Sequence, residues 1–366
     1  MQINESLTFG DLLIIPQYSE VESRSLVQTK VSLMAKSKGS NSFFEFRHPI
    51  IPANMKSIGS LDLLKQSLLS QGLTLLHRFD TLEEQVSKIK SLSLELERYI
   101  KEVADLLEVG TEDIKAQHWS NYIGVSLGVK QEDIDNAEVF YNLGVRIFCI
   151  DIAHGHSKRC GDMCKLLKEK YDGILLIAGN VATGEGAKYL WDSGADVVKC
   201  GIGSGSICLT RMEAGCGVAQ IKALQDIVEV KNSGAKYFSK SIISDGGIVN
   251  NGDIPKALAF ADMVMVGNMF SGCEETEGNK VIIDGVEYKE YAGSSTHKSK
   301  HIEGVVGLVH KKGKFSDILD KMMQGLRSGC SYVGAFNIGE LKYKVKFNKI
   351  TQSGLRESNH HDVKIL

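Results

Sequence analysis

The segment GIGSGSICLTR, residues 201–211, concentrates more potential chemistry than any other stretch of the chain. Gly201, Gly203 and Gly205 let the backbone turn sharply and approach a ligand closely. Backbone N–H groups in such a loop can cradle an anion, and Ser206 adds a hydroxyl. Cys208 follows, with Thr210 two residues on and Arg211 three on. A thiol near backbone N–H dipoles and a cation is expected to have a depressed pKa and to be nucleophilic. The bland alternative is a small buried core residue, and Cys149, Cys200 and Cys330 read that way. Two more Gly-rich pieces, Asp245-Gly246-Gly247 and Gly267-Asn268, end later apolar runs. There Asp245 can accept from ribose hydroxyls while Gly246 and Gly247 donate to phosphate. His154 and His156 in DIAHGHS do not read as zinc ligands, because the chain has no H-E-x-x-H and no Cys/His cluster at zinc spacing. Asp151, at the same strand end, is the better candidate for contacting a polar ring. GNVATGEG (179–186) lacks the G-x-G-x-x-G spacing of a Rossmann turn.

These residues need a scaffold, and the apolar runs supply one. PIIPANM (49–55), LTLLHR (73–78), YIGVSLGV (122–129), RIFCIDIAHG (146–155), ILLIAGNV (174–181), DVVKCGI (196–202), SIISDGGI (241–248) and MVMVGNMF (263–270) are continuous rather than alternating. That pattern suits strands buried on both faces. Helical periods separate them over Leu82–Leu107, Glu132–Asn142, Lys158–Tyr171 and Glu185–Ser193, with a last helix near Phe315–Gly329. Eight strands with interleaved helices is the count of a (β/α)8 TIM barrel, with a doubly wound open sheet as the runner-up. The reading is a single barrel domain over 1–366. Residues 82–121 are long enough for two helices. Residues 271–314 form an insertion after strand eight, on the face where such barrels carry active sites. Within it, VIIDGVEYKEY reads as a hairpin turning at Asp284–Gly285, followed by the polar flap GSSTHKSKHIEG. Residues 351–366 read as a polar tail.

Composition excludes several classes. Lys and Arg total 43 against 45 Asp and Glu, a formal net charge of −2, which gives no footprint for nucleic acid or an acidic membrane. No apolar run reaches the ~18 residues of a transmembrane helix. Met1–Gly10 lacks a signal-peptide order, and the eight scattered cysteines form no C-x-x-C, so reduced thiols in the cytoplasm are expected.

Eight pieces together resemble the IMP dehydrogenase/GMP reductase family over nearly the whole chain. They are LTFGDLLIIPQYSEV (7–21), PIIPANM, IDIAHGHS (150–157), AGNVATGE (178–185), GIGSGSICLTR, IISDGGI (242–248), EYKEYAGSS (287–295) and GLRSGCSYVGA (325–335). The resemblance implies a (β/α)8 barrel, a purine 5′-monophosphate, a nicotinamide cofactor and a homotetramer. It makes Cys208 the nucleophile that attacks purine C2 to form a thioimidate, with Thr210 beside it. Substrate contacts implied by it are Met55, Ser206, Asp245, Gly246, Gly247, Gly267, Asn268, Tyr291, Gly293, Ser294, Ser295 and Glu303. Cofactor contacts are Arg78, Asp151, Ile152, Ala153, Asn180, Ile202 and Gly203. A potassium ion would be held by Gly203, Gly205, Cys208 and Arg211 with Glu357 of the tail from another subunit.

Within the family, several features lean toward NADPH-dependent reduction of GMP to IMP and ammonia. No regulatory domain interrupts the barrel, the flap is short and lacks Arg-Tyr, and Arg211 follows Thr210. HRFD (77–80), GVSLGVK (124–130) and YKEYAGSS also resemble one branch of the reductases. Against this, the acidic residue expected to protonate leaving ammonia is replaced by His297. EGV (303–305) and GLRESNHHDV resemble NAD-dependent IMP dehydrogenases. Lys56 and Asn268 depart from the usual residues of both. The alternatives are therefore IMP dehydrogenase, a divergent purine-nucleotide oxidoreductase, or a nucleotide-binding barrel.

Overall fold

The computed structural model describes residues 3, 5–107, 111, 118–293 and 305–359. Eight parallel strands follow the eight apolar runs: β1 Ile50–Pro52, β2 Thr74–Leu76, β3 Ile123–Leu127, β4 Ile147–Asp151, β5 Leu175–Val181, β6 Val197–Cys200, β7 Ser241–Asp245 and β8 Met263–Val266. Each pairs in parallel with the next from β2 to β8, and β8 returns to β1 through Val264↔Ile50 and Val266↔Pro52. β1 and β2 pack together without a ladder and nearly close the ring. The result is a (β/α)8 TIM barrel. Almost every strand residue is buried, as double-sided burial requires.

The helices on the outside are α1 Leu61–Leu69, α2 Leu82–Leu107, α3 Gln131–Leu143, α4 Lys158–Lys170, α5 Gly184–Asp192, α6 Gln220–Asn232, α7 Asp253–Leu258 and α8 Phe315–Tyr332. Their starts are set by local chemistry. Ser60 and Thr183 accept from Leu63 N and Gly186 N. Thr81 and Glu84 exchange hydrogen bonds in a capping box before α2. The two helices expected between 82 and 121 are, among the described residues, one helix of 26 residues and a single 3-10 turn, Trp119–Asn121. No Gly or Pro interrupts Leu82–Leu107, and one apolar stripe through Ile89, Leu92 and Leu96 stays buried.

An antiparallel pair, Val31–Ala35 with Ser42–Phe46, covers the N-terminal end of the barrel, burying Leu33, Phe44 and Phe46. Asp196, just before β6, fixes it by accepting from Lys36 N at 3.1 Å while pairing with Lys168 Nζ at 2.9 Å. The insertion holds β9 Lys280–Ile283 and β10 Val286–Ala292, turning at Asp284 and Gly285 with φ of 50° and 78°. Two successive positive φ angles are the type I′ geometry that D-G favours. A third strand, β11 Val306–His310, extends this sheet and was not expected from sequence. At the far ends of the chain, Leu12–Ile14 pairs antiparallel with Phe347–Lys349. The tail then begins as an exposed helix, Gln352–Glu357. Among the described residues no helix is long and apolar enough to cross a membrane.

Candidate active site

One cleft with room for about 380 Å3 opens at the C-terminal ends of the strands. It gathers residues from nearly every strand end: Ala53–Met55 after β1, Arg78 after β2, Asp151–Ala153 at β4, Asn180 on β5, the 201–210 loop after β6, Asp245–Val249 at β7, Gly267–Asn268 after β8, and Tyr291 and Gly293 from β10. Of the residues expected at the site, Met55, Arg78, Asp151, Ile152, Ala153, Asn180, Ile202, Gly203, Gly205, Ser206, Cys208, Thr210, Asp245, Gly246, Gly247, Gly267, Asn268, Tyr291 and Gly293 all line this cleft. Ser294, Ser295, His297 and Glu303 lie outside the described residues.

The loop after β6 is shaped by close backbone approach. Gly201 has φ of 148°, and a Cβ there would meet the Asp245 carbonyl oxygen at 2.0 Å. Only glycine fits. Ser204 Oγ donates to the same carbonyl at 3.1 Å, locking the β6 loop to the end of β7. Cys208 N donates to Gly205 O at 3.1 Å, and the Cys208 thiol donates to Thr210 Oγ1 at 3.2 Å. The one-turn helix Thr210–Glu213 follows. Cys208 is half-buried, whereas Cys149, Cys200 and Cys330 are buried core residues, as expected. Arg211 is not a cleft-lining residue; its side chain crosses Gly203 and Gly217, and its guanidinium donates to Val218 O at 2.6 Å.

The 5′-phosphate candidates cluster around Tyr291, which is 3% exposed. A Cβ on Gly267 would meet its hydroxyl at 2.9 Å, and Met55 Sδ lies 3.9 Å from that hydroxyl. Burial pushes the Tyr291 phenol up to about 12, against a hydrogen bond with Ser206 that favours ionisation. It therefore remains a donor at neutral pH. Lys312 Nζ donates to Asn268 Oδ1 at 3.1 Å, which leaves the amide N–H2 of Asn268 as a donor.

At the other end, Arg78 Nε donates to Asp151 O at 3.1 Å and its guanidinium sits 4.8 Å from the Phe79 ring centre. Between the two ends lies a charged cluster that the sequence reading missed. Lys199 Nζ is 2.9 Å from Asp151 Oδ1 and 2.6 Å from Asp245 Oδ2. A lysine inside the run DVVKCGI was the available signal. Asn54, also missed, donates to Ser126 Oγ at 2.8 Å beneath the cleft.

One chain does not assemble the expected potassium set. The Gly205 carbonyl is already taken by the Cys208 amide. Glu357 ends the exposed tail helix, with no hydrogen bond or ion pair to the loop among the described residues. No three-residue His, Cys, Asp or Glu metal cluster occurs among the described residues either.

A family profile described as "IMP dehydrogenase / GMP reductase domain" matches residues 6–361. An inosine-5′-monophosphate dehydrogenase of Borreliella burgdorferi is 33% identical over 98% of this chain and 97% of its own length. A GMP reductase of Leishmania donovani is 40% identical over 66% of this chain and 52% of its own. The chain thus spans about half the length of several of the curated relatives it matches. Among solved structures, a cysteine-to-alanine variant of GMP reductase from Trypanosoma brucei in complex with guanosine 5′-monophosphate superimposes with a TM-score of 0.86 at 28% identity, covering 99% of both chains.

Proposed function

Given that the chain belongs to the IMP dehydrogenase / GMP reductase family, we propose that this oxidoreductase binds a purine nucleoside 5′-monophosphate against Cys208 and reductively deaminates GMP to IMP and ammonia. What supports this choice of reaction is the likeness to a reductase solved with guanosine 5′-monophosphate bound, together with a flap, GSSTHKSKHIEG, that lacks Arg-Tyr.

The residues divide the work. Gly246, Gly247, Gly267, Ser206, Asn268 and Tyr291 supply donors for a phosphate dianion, and Asp245 accepts from ribose hydroxyls. The Cys208 sulfur forms a bond to purine C2, and the Thr210 hydroxyl, 3.2 Å away, steadies the thiolate by donating to it. The amino group leaves as ammonia, taking one proton. His297 is the proposed proton donor, since an unperturbed imidazole gives up a proton near neutral pH. Arg78 and Asp151, with Ile152, Ala153, Asn180, Ile202 and Gly203, would hold a nicotinamide dinucleotide. A guanidinium beside a carboxylate matches that group's phosphates and hydroxyls. When bound, it would supply the hydride to C2; the C2–S bond then breaks, IMP is released and Cys208 returns as the thiolate. NADPH is the form proposed.

A second reading, NAD-dependent oxidation of IMP to XMP, is favoured by the dehydrogenase-named relative matched over 97% of its length. That match also shows that an undivided barrel does not separate the two reactions. The test is direct: GMP with NADPH, and separately IMP with NAD, followed at the absorbance of the reduced nicotinamide. GMP-dependent loss of absorbance with release of IMP is expected. Steady XMP formation from IMP would overturn the reductase assignment.

A further inference from the structure

Strand β6 carries one charge among apolar neighbours. Lys199 is only 3% exposed, and its ammonium bridges Asp151 Oδ1 on β4 and Asp245 Oδ2 on β7. Asn180 on β5 completes the cluster, donating to the same Asp245 oxygen at 2.8 Å and to Gly201 O at 2.7 Å. Both aspartates keep about a fifth of their side chains exposed, and both line the cleft. Asp151 sits beside Arg78, and Asp245 beside Gly246 and Gly247. One ammonium therefore serves carboxylates in both halves of the cleft.

Burial works against the charge on Lys199, but Asp151 and Asp245 outweigh it and hold the ammonium protonated well beyond its ordinary range. The converse matters more. Without the ammonium, two carboxylates that meet at one point lose their shared counter-charge and repel, which disfavours both being ionised at once. A protonated carboxyl is a poorer and differently aimed acceptor. The other titratable groups around the cluster do not replace the lysine. Burial keeps the thiols of Cys149 and Cys200 and the phenol of Tyr291 protonated. The Arg78 Nε is spent on the Asp151 carbonyl.

We propose that Lys199 is a positioning residue that keeps Asp151 and Asp245 ionised and aimed together, so that one buried charge sets both the nucleotide half and the dinucleotide half of the cleft. This rests on the reading that the two ligands share this cleft.

The test uses Lys199→Met, Lys199→Arg and the double variant Lys199→Met/Asp151→Asn in the full chain. The first readout needs no ligand. An aspartate whose pKa is raised in the folded state stabilises at low pH and loses that contribution as pH rises. The melting deficit of Lys199→Met against wild type should therefore grow from about pH 5 to about pH 8. Asp151→Asn added to it should abolish that growth, because the like charge is gone. The second readout is GMP and IMP binding by equilibrium dialysis near neutral pH. Lys199→Met should weaken nucleotide binding roughly tenfold or more. Lys199→Arg and the double variant should each recover most of it. A deficit that is the same at every pH, or one that Asp151→Asn does not relieve, overturns the proposal and leaves Lys199 as packing. If Lys199→Met does not fold, the double variant should; failure of both to fold also overturns it. If wild type binds neither nucleotide, the functional reading fails, while the melting series still decides the charge role.

Discussion

Burial pushes the thiols of Cys273 and Cys330 up to about 12, and those of Cys149 and Cys200 up further, so these sulfurs are inert at neutral pH. Cys208 alone among the eight cysteines lines the cleft. Cys208→Ser should lower turnover by at least ~10³-fold while GMP still binds, because a serine hydroxyl is a far weaker nucleophile and the phosphate contacts are untouched. Dialysis with GMP beside a turnover assay checks both halves, and substantial residual turnover would remove the thioimidate route. His297→Ala should slow GMP deamination strongly but the hydride step from IMP and NAD much less, since that step needs no leaving-group proton; equal loss in both would mean a structural role. A third residue concerns stability. His48 is buried beneath β1, where its Nδ1 accepts from Ile50 N and its Nε2 lies 2.9 Å from Ser70 Oγ, an arrangement that requires the neutral ring. Burial lowers its pKa to about 4. The unfolded ring takes a proton near pH 6.5, so stability falls as pH drops from about 6.5 to about 4, by roughly 3 kcal/mol for this residue. Thermal melts across that range should show the slope, and His48→Gln should flatten it.

The insertion shows how an element is tied to the site. Lys289 and Tyr291 share one face of β10. The Lys289 ammonium, 2% exposed, donates to the carbonyls of Cys273, Glu274 and Thr276, all in the chain that leaves β8. Val305 N, just before β11, donates to Ile207 O beside Cys208. The hairpin is thus fastened both to the segment after β8 and to the cysteine loop. Lys289→Met would remove the ammonium from all three carbonyls, although Cys273 O keeps the Thr276 hydroxyl as a donor, at a cost of about 1–3 kcal/mol. It should lower the melting temperature by several degrees and raise KM for the nucleotide by loosening Tyr291; an unchanged KM would show that β10 holds its place without the lysine. The same elements show what a sequence reveals. The barrel strands were legible because double-sided burial writes unbroken apolar runs, and the hairpin turn because D-G specifies it. β11 was not, since its short apolar run VVGLV (305–309) is broken by Gly307 and its Val306 and Leu308 stay half-exposed. Lys199 was passed over because a charge inside an apolar run reads as noise until two carboxylates from distant strands are seen to meet it.

At the scale of the molecule, the described part of the tail makes no hydrogen bond or ion pair to the loop after β6. The proposed potassium site therefore calls for another subunit to bring Glu357 to Gly203 and Gly205. Among the described residues, truncation after Gln352 removes exposed positions and the half-exposed Gly354, so the melting temperature should change by no more than about 0.5 kcal/mol would produce. Activity and its response to potassium should nevertheless fall. If both are unchanged, the tail is a solvated end.

The pairing of Leu12–Ile14 with Phe347–Lys349 sets a timetable for the newborn chain. The first of these strands leaves the ribosome roughly 330 residues before its partner, which at ~5–20 residues per second is a wait of ~20–70 s. The parallel ladder between β8 and β1 imposes a similar delay on Ile50–Pro52. Throughout that interval the opening segment and the first barrel strand must remain unpaired without capturing a neighbouring chain. The barrel can close only once Met263–Val266 has emerged, so a stall just before that point would expose more unpaired strand than one early on.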